Sequence, residues 1–480
     1  MEQSKYKPDE LNKQNEVIGL KPVMGFRDLV IFYVIAIFGV RMLPIVASAG
    51  PSIVLYFIIS LIIFFIPMGL TVTDLGKRYP EEGGIYIWAK NAFGDFHGYI
   101  TAWTYWTSNL AYFPSLLFFT STQALLIIPV FKGYSDNGLI HSAISIGAIL
   151  LILTLNLKGL KKSSVLNNIS VSATYIVVAL IIVVGLTSLI KFGSATDMSF
   201  SNWIPRIGNI KDLVFLSTVV YMFAGLESAS MLGGEVKNAA KTIPRAIMIS
   251  GVIISCMYFL SAFSLLLGFP ADNLSSLTGM PDAVSTGIGN IAGKQLIGLS
   301  ASFVSFLLVL MAMGQISVWL TATARLPFVV GLDRYLPAAF GKLHPRFGTP
   351  YISLIALSSI TIFFVILSGL GGKAKLVYNI LISLEIVTFL IPYLYMFAAV
   401  IKFEVDKKFR GKINLPGGQK NAMAAGIVGF LVVGVSVFLA LIPGDEVKDT
   451  FTFYSTVLIS LALNMSVGIG LYIYARKKRS

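Results

Sequence analysis

The chain reads as an all-α integral membrane protein of twelve transmembrane helices, and three observations predict this. Only 12% of its 480 residues are charged, half of the roughly 25% usual in a soluble domain. Mean hydropathy is +0.80. Apolar runs of 17 or more residues recur along nearly the whole length, each long enough to cross about 30 Å of hydrocarbon.

Gly, Pro and charge clusters divide these runs into twelve candidate helices. A polar tail of mixed charge, 1–27, precedes the first at 28–47 and lacks the layout of a signal peptide. The second, 52–75, stops at Lys77 and Arg78, and a segment holding Lys90 leads to the third, 95–128. Lys132 precedes the fourth, 139–157, and Lys158, Lys161 and Lys162 precede the fifth, 165–190. Lys191, Arg206 and Lys211 lead to the sixth, 212–234; Lys237, Lys241 and Arg245 mark the turn into the seventh, 244–268. Lys294 opens the eighth, 294–325, and Arg325, Arg334, Lys342 and Arg346 separate it from the ninth, 350–368. Lys373 and Lys375 introduce the tenth, 375–401. A basic stretch from Lys402 to Lys420 leads to the eleventh, 422–442, and Lys448 to the twelfth, 452–475, before a basic tail at 476–480. The third and eighth are long enough to tilt or to project beyond the bilayer.

The basic residues provide an independent check. With a cytoplasmic N-terminus, alternate loops place 28 of the 37 Lys and Arg inside and 8 outside, leaving Arg41 within the first span. That bias fits twelve spans of a cell-membrane protein with both termini in the cytoplasm. It also accounts for the net charge of +14, because the positive residues lie in short loops and not on a face for nucleic acid. Of 23 acidic residues, only Glu227 and Glu385 fall deep inside spans. The single cysteine, Cys256, permits neither an intrachain disulfide nor a four-cysteine metal centre, and His97, His141 and His344 lack metal-ligand spacing. No GxxxxGKS or GxxxxGKT loop suggests ATP-driven transport, and no constellation of catalytic groups suggests an enzyme. No cofactor is expected.

The most informative segment is Tyr221 to Arg245. Glu227 lies inside its apolar stretch beside Ala224, Gly225, Ser228, Ala229, Ser230, Gly233 and Gly234. An ionised carboxylate at the centre of a membrane helix costs roughly 3 kcal/mol and normally faces a cavity or a partner. Neighbouring glycine lets the helix unwind and expose backbone groups, which is how broken helices build a binding site at the bilayer midplane. This pattern is that of a transporter for a small polar solute.

Three motifs carry a family resemblance. The first is Pro80-Glu81-Glu82-Gly83-Gly84-Ile85-Tyr86, followed by Phe93-Gly94, His97-Gly98, Trp103 and Trp106. The second runs Gly225-Leu226-Glu227-Ser228-Ala229-Ser230 to Glu235-Val236-Lys237-Asn238 and Ile243-Pro244-Arg245-Ala246. The third is Asp333-Arg334-Tyr335-Leu336-Pro337, continuing to Gly348-Thr349-Pro350. In this order the chain resembles the amino acid–polyamine–organocation permease superfamily over its first ten spans, most closely the bacterial glutamate/GABA and arginine/agmatine antiporters. The resemblance implies two inverted five-helix repeats, here 28–190 and 212–401, with helices 1 and 6 broken and helices 11 and 12 (422–475) outside the repeat. It implies that an amino acid meets exposed backbone at both breaks, at Ile37, Phe38, Gly39 and Val40 and at Ala224 and Gly225. It also gives Tyr221 an aromatic role and makes Glu227 the link between protons and gating. Phe223, one turn before Glu227, is expected to close with Tyr221 over the apolar part of the substrate. The chain departs from the pattern at the first break, Ile37-Phe38-Gly39-Val40-Arg41, which lacks one glycine and adds an arginine, and at Ala239, where proline is usual.

Arg41 has two readings, a receptor for the substrate carboxylate or a fixed counter-ion of Glu227 or Glu385. Glu385 has two as well, a proton role or a hydrogen bond to a serine or a backbone carbonyl. With all three charged, the interior holds one net negative charge that a single proton neutralises. The acidic turn Glu81–Gly84 reads as a helix cap with close backbone approach, without chemistry. A rival keeps the fold but couples to sodium between the first and eighth spans, where Ser317, Thr321 and Thr323 supply hydroxyls. A more distant rival is a channel, which the paired breaks disfavour. The expected partners are therefore an amino acid or its decarboxylated amine, a proton or sodium, and the bilayer. The sequence leaves the oligomeric state open.

Overall fold

The structure, a computed structural model, describes residues 20–205, 210–270, 275–370, 374–406, 418–442 and 450–479. Most of the expected tail 1–27 lies outside these residues, as does the basic loop from Lys407 to Lys412. Twelve helices among the described residues are long and apolar enough to cross a membrane. A lipid interior offers no partner to a bare N–H or C=O, so the crossings satisfy most of their backbone within their own helices. The only pairing of strand type among the described residues is one bridge, Met24 to Val236.

Span 1 is Phe26–Ala47, span 2 Ser52–Arg78, span 3 Asp95–Ile127, span 4 Gly138–Leu157, span 5 Leu160–Phe192 and span 6 Leu213–Glu235. Span 7 is Ala239–Gly268, span 8 Lys294–Gly331, span 9 Tyr351–Leu370 and span 10 Leu384–Val405, within the helix Ala374–Val405. Span 11 is Gly418–Ala440 and span 12 is Phe453–Lys478. Twelve crossings bring both ends to one face, here called the terminal side.

Spans 3 and 5 each have 33 residues, about 50 Å at 1.5 Å per residue, and both exceed the hydrocarbon thickness. Span 5 is longer than its apolar run because its first turn carries Lys161 and Lys162, exposed beyond the apolar layer. Charge alone places that turn in a loop. Two shorter helices, Ile85–Phe93 and Gly279–Ala292, lie between spans. Neither is an apolar run long enough to register as a crossing.

The spans differ in enclosure. Buried residues make up 83%, 78% and 72% of the apolar windows of spans 1, 3 and 6, against 17% for span 12. The broken helices and span 3 therefore form the centre, and span 12 lies at the periphery, facing lipid. Span 3 packs on spans 8 and 10, span 8 also on span 5, span 4 on span 9, and span 7 on spans 1 and 5.

Candidate functional site

Span 1 is helical from Phe26 to Ile37, opens at Phe38 and Gly39, and resumes as a tight turn at Val40–Met42 and a helix at Leu43–Ala47. Phe38 has φ −74° and ψ 98°, and Gly39 has φ −106° and ψ 90°. Neither φ lies in the region that favours glycine, so the break at Phe38 does not depend on a second glycine there. Span 6 is helical as far as Phe223 and breaks at Ala224 and Gly225. Gly225 has φ +129°, a region side chains avoid. A Cβ there would lie 2.9 Å from Ile37 Cγ1 and 3.4 Å from Trp319 Cζ2. Glycine is thus required both by the turn and by the contact between the two breaks.

Breaking a helix leaves the last carbonyls of its first half without intrahelical donors. Two aromatic side chains supply them. Trp319 of span 8 donates from Nε1 to the Ala36 carbonyl at 2.9 Å. The Tyr258 hydroxyl of span 7 accepts the Gly39 N–H at 2.8 Å. Its oxygen lies 2.6 Å from the Ile37 carbonyl oxygen and 3.1 Å from that of Met222, so its one proton goes to either carbonyl or is shared between them. One hydroxyl therefore ties both breaks together. Sequence reasoning missed Tyr258 and Trp319, which lie in other spans and outside every motif.

A cavity of about 30 Å³ lies between the breaks, room for about one or two waters. Of the residues expected to bind substrate, Ile37, Gly39, Tyr221 and Ala224 line it, together with Arg41. Phe38 and Val40 border a separate small void with Met311 and Gln315. Phe223 does not reach the cavity; its ring packs on Phe65 at 4.8 Å and on Phe57 at 5.8 Å. Residues two apart on a helix point to opposite sides, so Tyr221 and Phe223 cannot close over one ligand together. Trp319 and Phe389 meet edge to face at 5.4 Å on the cavity wall. In this state the cavity is too small to hold an amino acid.

The three interior charges separate into a pair and a single group. Arg41 donates from Nη2 to Glu385 Oε1 at 2.6 Å and from Nη1 to Ser115 at 3.3 Å. Ser115 is also 2.6 Å from Glu385 Oε2, and the Tyr221 hydroxyl bonds to Oε1. The Arg41 guanidinium also lies 5.5 Å from the centre of the Tyr112 ring, within range of a cation–π attraction. Glu227 is placed differently: the Tyr105 hydroxyl donates to its Oε1 at 2.5 Å, while Oε2 makes no hydrogen bond of ordinary geometry among the described residues and has the Tyr393 hydroxyl nearby. Tyr33 and Tyr393 lie close enough to feel its charge.

Ser317 and Thr321 face span 4. Asn156 donates to Ser317 at 3.1 Å and accepts from Thr321, while Thr323 returns its proton to the Trp319 carbonyl at 2.7 Å. The Ser317 and Thr321 hydroxyls clasp spans 4 and 8 together, and none of the three lines the cavity between the breaks.

The sequence profile described as amino acid permease matches residues 24–462. The chain belongs to the amino acid permease family. It is 26% identical to an uncharacterised transporter of Legionella pneumophila over 95% of this chain and 97% of the relative. It is 23% identical to the probable agmatine/putrescine antiporter AguD of Lactococcus lactis over 88% and 89%, respectively. It is 25% identical to the serine/threonine exchanger SteT of Bacillus subtilis over 86% and 85%. Membership makes the chain a multi-pass membrane protein of amino acid transport.

On its terminal side this permease is sealed where the three sequence motifs meet. Arg325, at the end of span 8, contacts Glu235 through Nε at 2.8 Å and Nη2 at 2.7 Å, with Glu82 Oε1 3.9 Å away. Glu82 accepts the Gly234 N–H at 2.8 Å, so it caps the exit of span 6 and not the helix it precedes. Burial, and then the Glu235 charge, push the Glu82 carboxyl well above the usual carboxylate range, with Arg325 opposing. Gly84 has φ +39°, and a Cβ there would collide with the Ser230 hydroxyl at 2.1 Å. Lys90 pairs with Asp333 at 2.6 Å, and Tyr86 bonds to the same carboxylate. Val23 and Met24 donate to the Glu235 carbonyl at 2.9 and 3.0 Å, which fastens the start of span 1 to the end of span 6.

Proposed function

We propose that this permease is a secondary active transporter that exchanges an amino acid, or its decarboxylated amine, by alternating access across the cell membrane. The observation that carries the reading is the contact of two broken helices around one small cavity, with the Tyr258 hydroxyl within hydrogen-bond reach of both. Such a junction opens to one side or the other when spans 1 and 6 move relative to spans 3, 7, 8 and 10, and substrate binding biases that choice. The names of the agmatine/putrescine antiporter and the serine/threonine exchanger support exchange over one-way uptake.

Residues 28–190 and 212–401 serve as inverted repeats in this reading. Its support is the packing pattern: span 3 lies on span 10 as span 8 lies on span 5, the relation that exchanging the two halves produces. Both termini lie in the cytoplasm, in keeping with the distribution of Lys and Arg. Substrate enters as spans 1 and 6 part, and the second lone pairs of the break carbonyls accept from its ammonium group while Tyr258 and Trp319 stay bonded and hold the site shut.

Glu227 couples protons to the gate. Arg41 and Glu385 neutralise each other, so Glu227 holds the uncompensated charge of the interior. A buried carboxylate whose second oxygen makes no hydrogen bond of ordinary geometry is costly, and a proton on Oε2 removes that charge. The neutral form stabilises the closed arrangement around Tyr105. The sodium alternative loses support because Ser317 and Thr321 are engaged by Asn156.

The test uses purified protein in liposomes preloaded with unlabelled amino acids, without sodium, from pH 5 to 8. Labelled uptake should require an internal amino acid and rise at low pH, and Glu227→Gln should lose the pH dependence. Uptake that needs sodium, or that keeps its pH profile in Glu227→Gln, would refute proton coupling through this residue.

A further inference from the structure

Arg41 and Glu385 both lie in the interior, with side chains 4% and 1% exposed. Their charges cancel at one wall of the cavity. Both Glu385 oxygens are already engaged: Arg41 and Tyr221 share Oε1, and Ser115 meets Oε2. Arg41 reaches the cavity itself, and every other residue lining it is uncharged, the polar ones being Asn109, Tyr112, Tyr221, Tyr258, Gln315 and Trp319. Glu227 does not line the cavity; the Tyr105 ring, hydrogen-bonded to it, lies 5.3 Å from Phe389 on the wall.

From this arrangement we infer that the Arg41–Glu385 pair is a charge filter, which restricts the permease to amino acids with uncharged side chains. The inference rests on the transport reading above and deepens it by naming a substrate class. A guanidinium or ammonium side chain finds a counter-charge only by taking Glu385 from Arg41. That exchange leaves Arg41 buried without its carboxylate. A carboxylate side chain finds one only by taking Arg41, leaving Glu385 stranded among aromatic rings. Either substitution is penalised as the loss of one partner from a buried pair is, by about 100-fold or more in affinity. A neutral amino acid carries equal and opposite charges on its backbone and needs neither partner to be released. The filter therefore discriminates by what it leaves behind and not by what it attracts.

The experiment compares wild type, Glu385→Gln, Arg41→Gln and the double variant in liposomes loaded with a mixture of amino acids. The labelled panel is alanine, serine, glutamate, arginine and agmatine. Wild type should favour alanine and serine over the three charged solutes by about 100-fold in kcat/KM. Glu385→Gln takes the carboxylate from the Arg41 guanidinium and should gain glutamate uptake. Arg41→Gln exposes an unpaired carboxylate and should gain arginine and agmatine uptake. The double variant should again prefer neutral solutes to charged ones. Wild-type uptake of glutamate, arginine or agmatine within tenfold of alanine overturns the filter while leaving exchange intact. So do single variants that stay monodisperse in detergent yet gain no charged solute. Wild type that takes up no solute in the panel defeats the transport reading itself. If the variants do not fold, the wild-type panel alone decides.

Discussion

Replacing Tyr258 by Phe removes one oxygen and keeps the ring, whose packing on Phe38 at 4.7 Å and Phe223 at 5.6 Å is unaffected. Two backbone groups lose their partner, the Gly39 N–H and the carbonyl of Ile37 or Met222. Neither recovers an intrahelical bond, because both belong to interrupted helices. Each orphaned buried group costs about 1–3 kcal/mol. The adjacent cavity has room for a water that recovers part of this, so a net loss of about 2 kcal/mol is reasonable. The bonds join the two breaks only when the site is closed, so the loss falls on the closed state relative to the open ones. Two kcal/mol is about a 30-fold change in that ratio. Exchange of labelled amino acid in liposomes should therefore fall by about 30-fold in kcat/KM, while the protein stays folded. Tyr99→Phe is the control. Its hydroxyl is buried and has no partner among the described residues, and the variant should stay within twofold of wild type. Exchange by Tyr258→Phe within threefold of wild type would refute the argument, as would an equal loss in Tyr99→Phe.

Gly225→Ala forces a side chain to φ +129° and to 2.9 Å from Ile37. Strain and overlap together, roughly 3 kcal/mol, should lower exchange by more than about 100-fold, and near-normal exchange would show that the breaks do not touch in the working cycle. Arg325→Gln leaves Glu235 and Glu82 facing each other without their cation; it should destabilise the protein by about 3 kcal/mol in denaturant unfolding in detergent, and a change below about 0.5 kcal/mol would place the pair among solvated ones. Glu82 supplies a pH test. Its folded pKa is raised, so the folded state holds the proton to higher pH than the unfolded chain. Stability should accordingly fall as pH rises from about 4.3, the unfolded glutamate value, through the raised folded one. Thermal melts from pH 4 to 8 should show that decline in wild type and a flatter profile in Glu82→Gln; parallel profiles would remove Glu82 as its source.

The twelve crossings were legible because each is a local property, a run of apolar residues long enough to span hydrocarbon. The break in span 6 was legible too, since Gly225 beside Glu227 in an apolar run is a local conflict with helix formation, whereas the break in span 1 was expected only from the family resemblance. The ends of span 5 were not, because a helix continues past the apolar layer wherever its backbone bonds continue, and Lys161 is as good a helix residue as a loop one. Phe223 shows the limit of motif spacing. Helical phase sends it away from Tyr221 and into a cluster with Phe57 and Phe65.

What the sequence determined by itself was the class: a twelve-span membrane protein whose interior holds three charges, two breaks and a basic terminal side. Hydropathy, charge and glycine act over a few residues, so they can be read in order. Only the tertiary structure decided who partners whom. Arg41 meets Glu385 across 344 positions of chain, Glu227 meets Tyr105 across 122, and Tyr258 reaches Gly39 across 219. A buried polar group must find a partner, but that demand does not say which of many hydroxyls and charges will be brought within 3 Å. Helix packing, not local sequence, settles that choice.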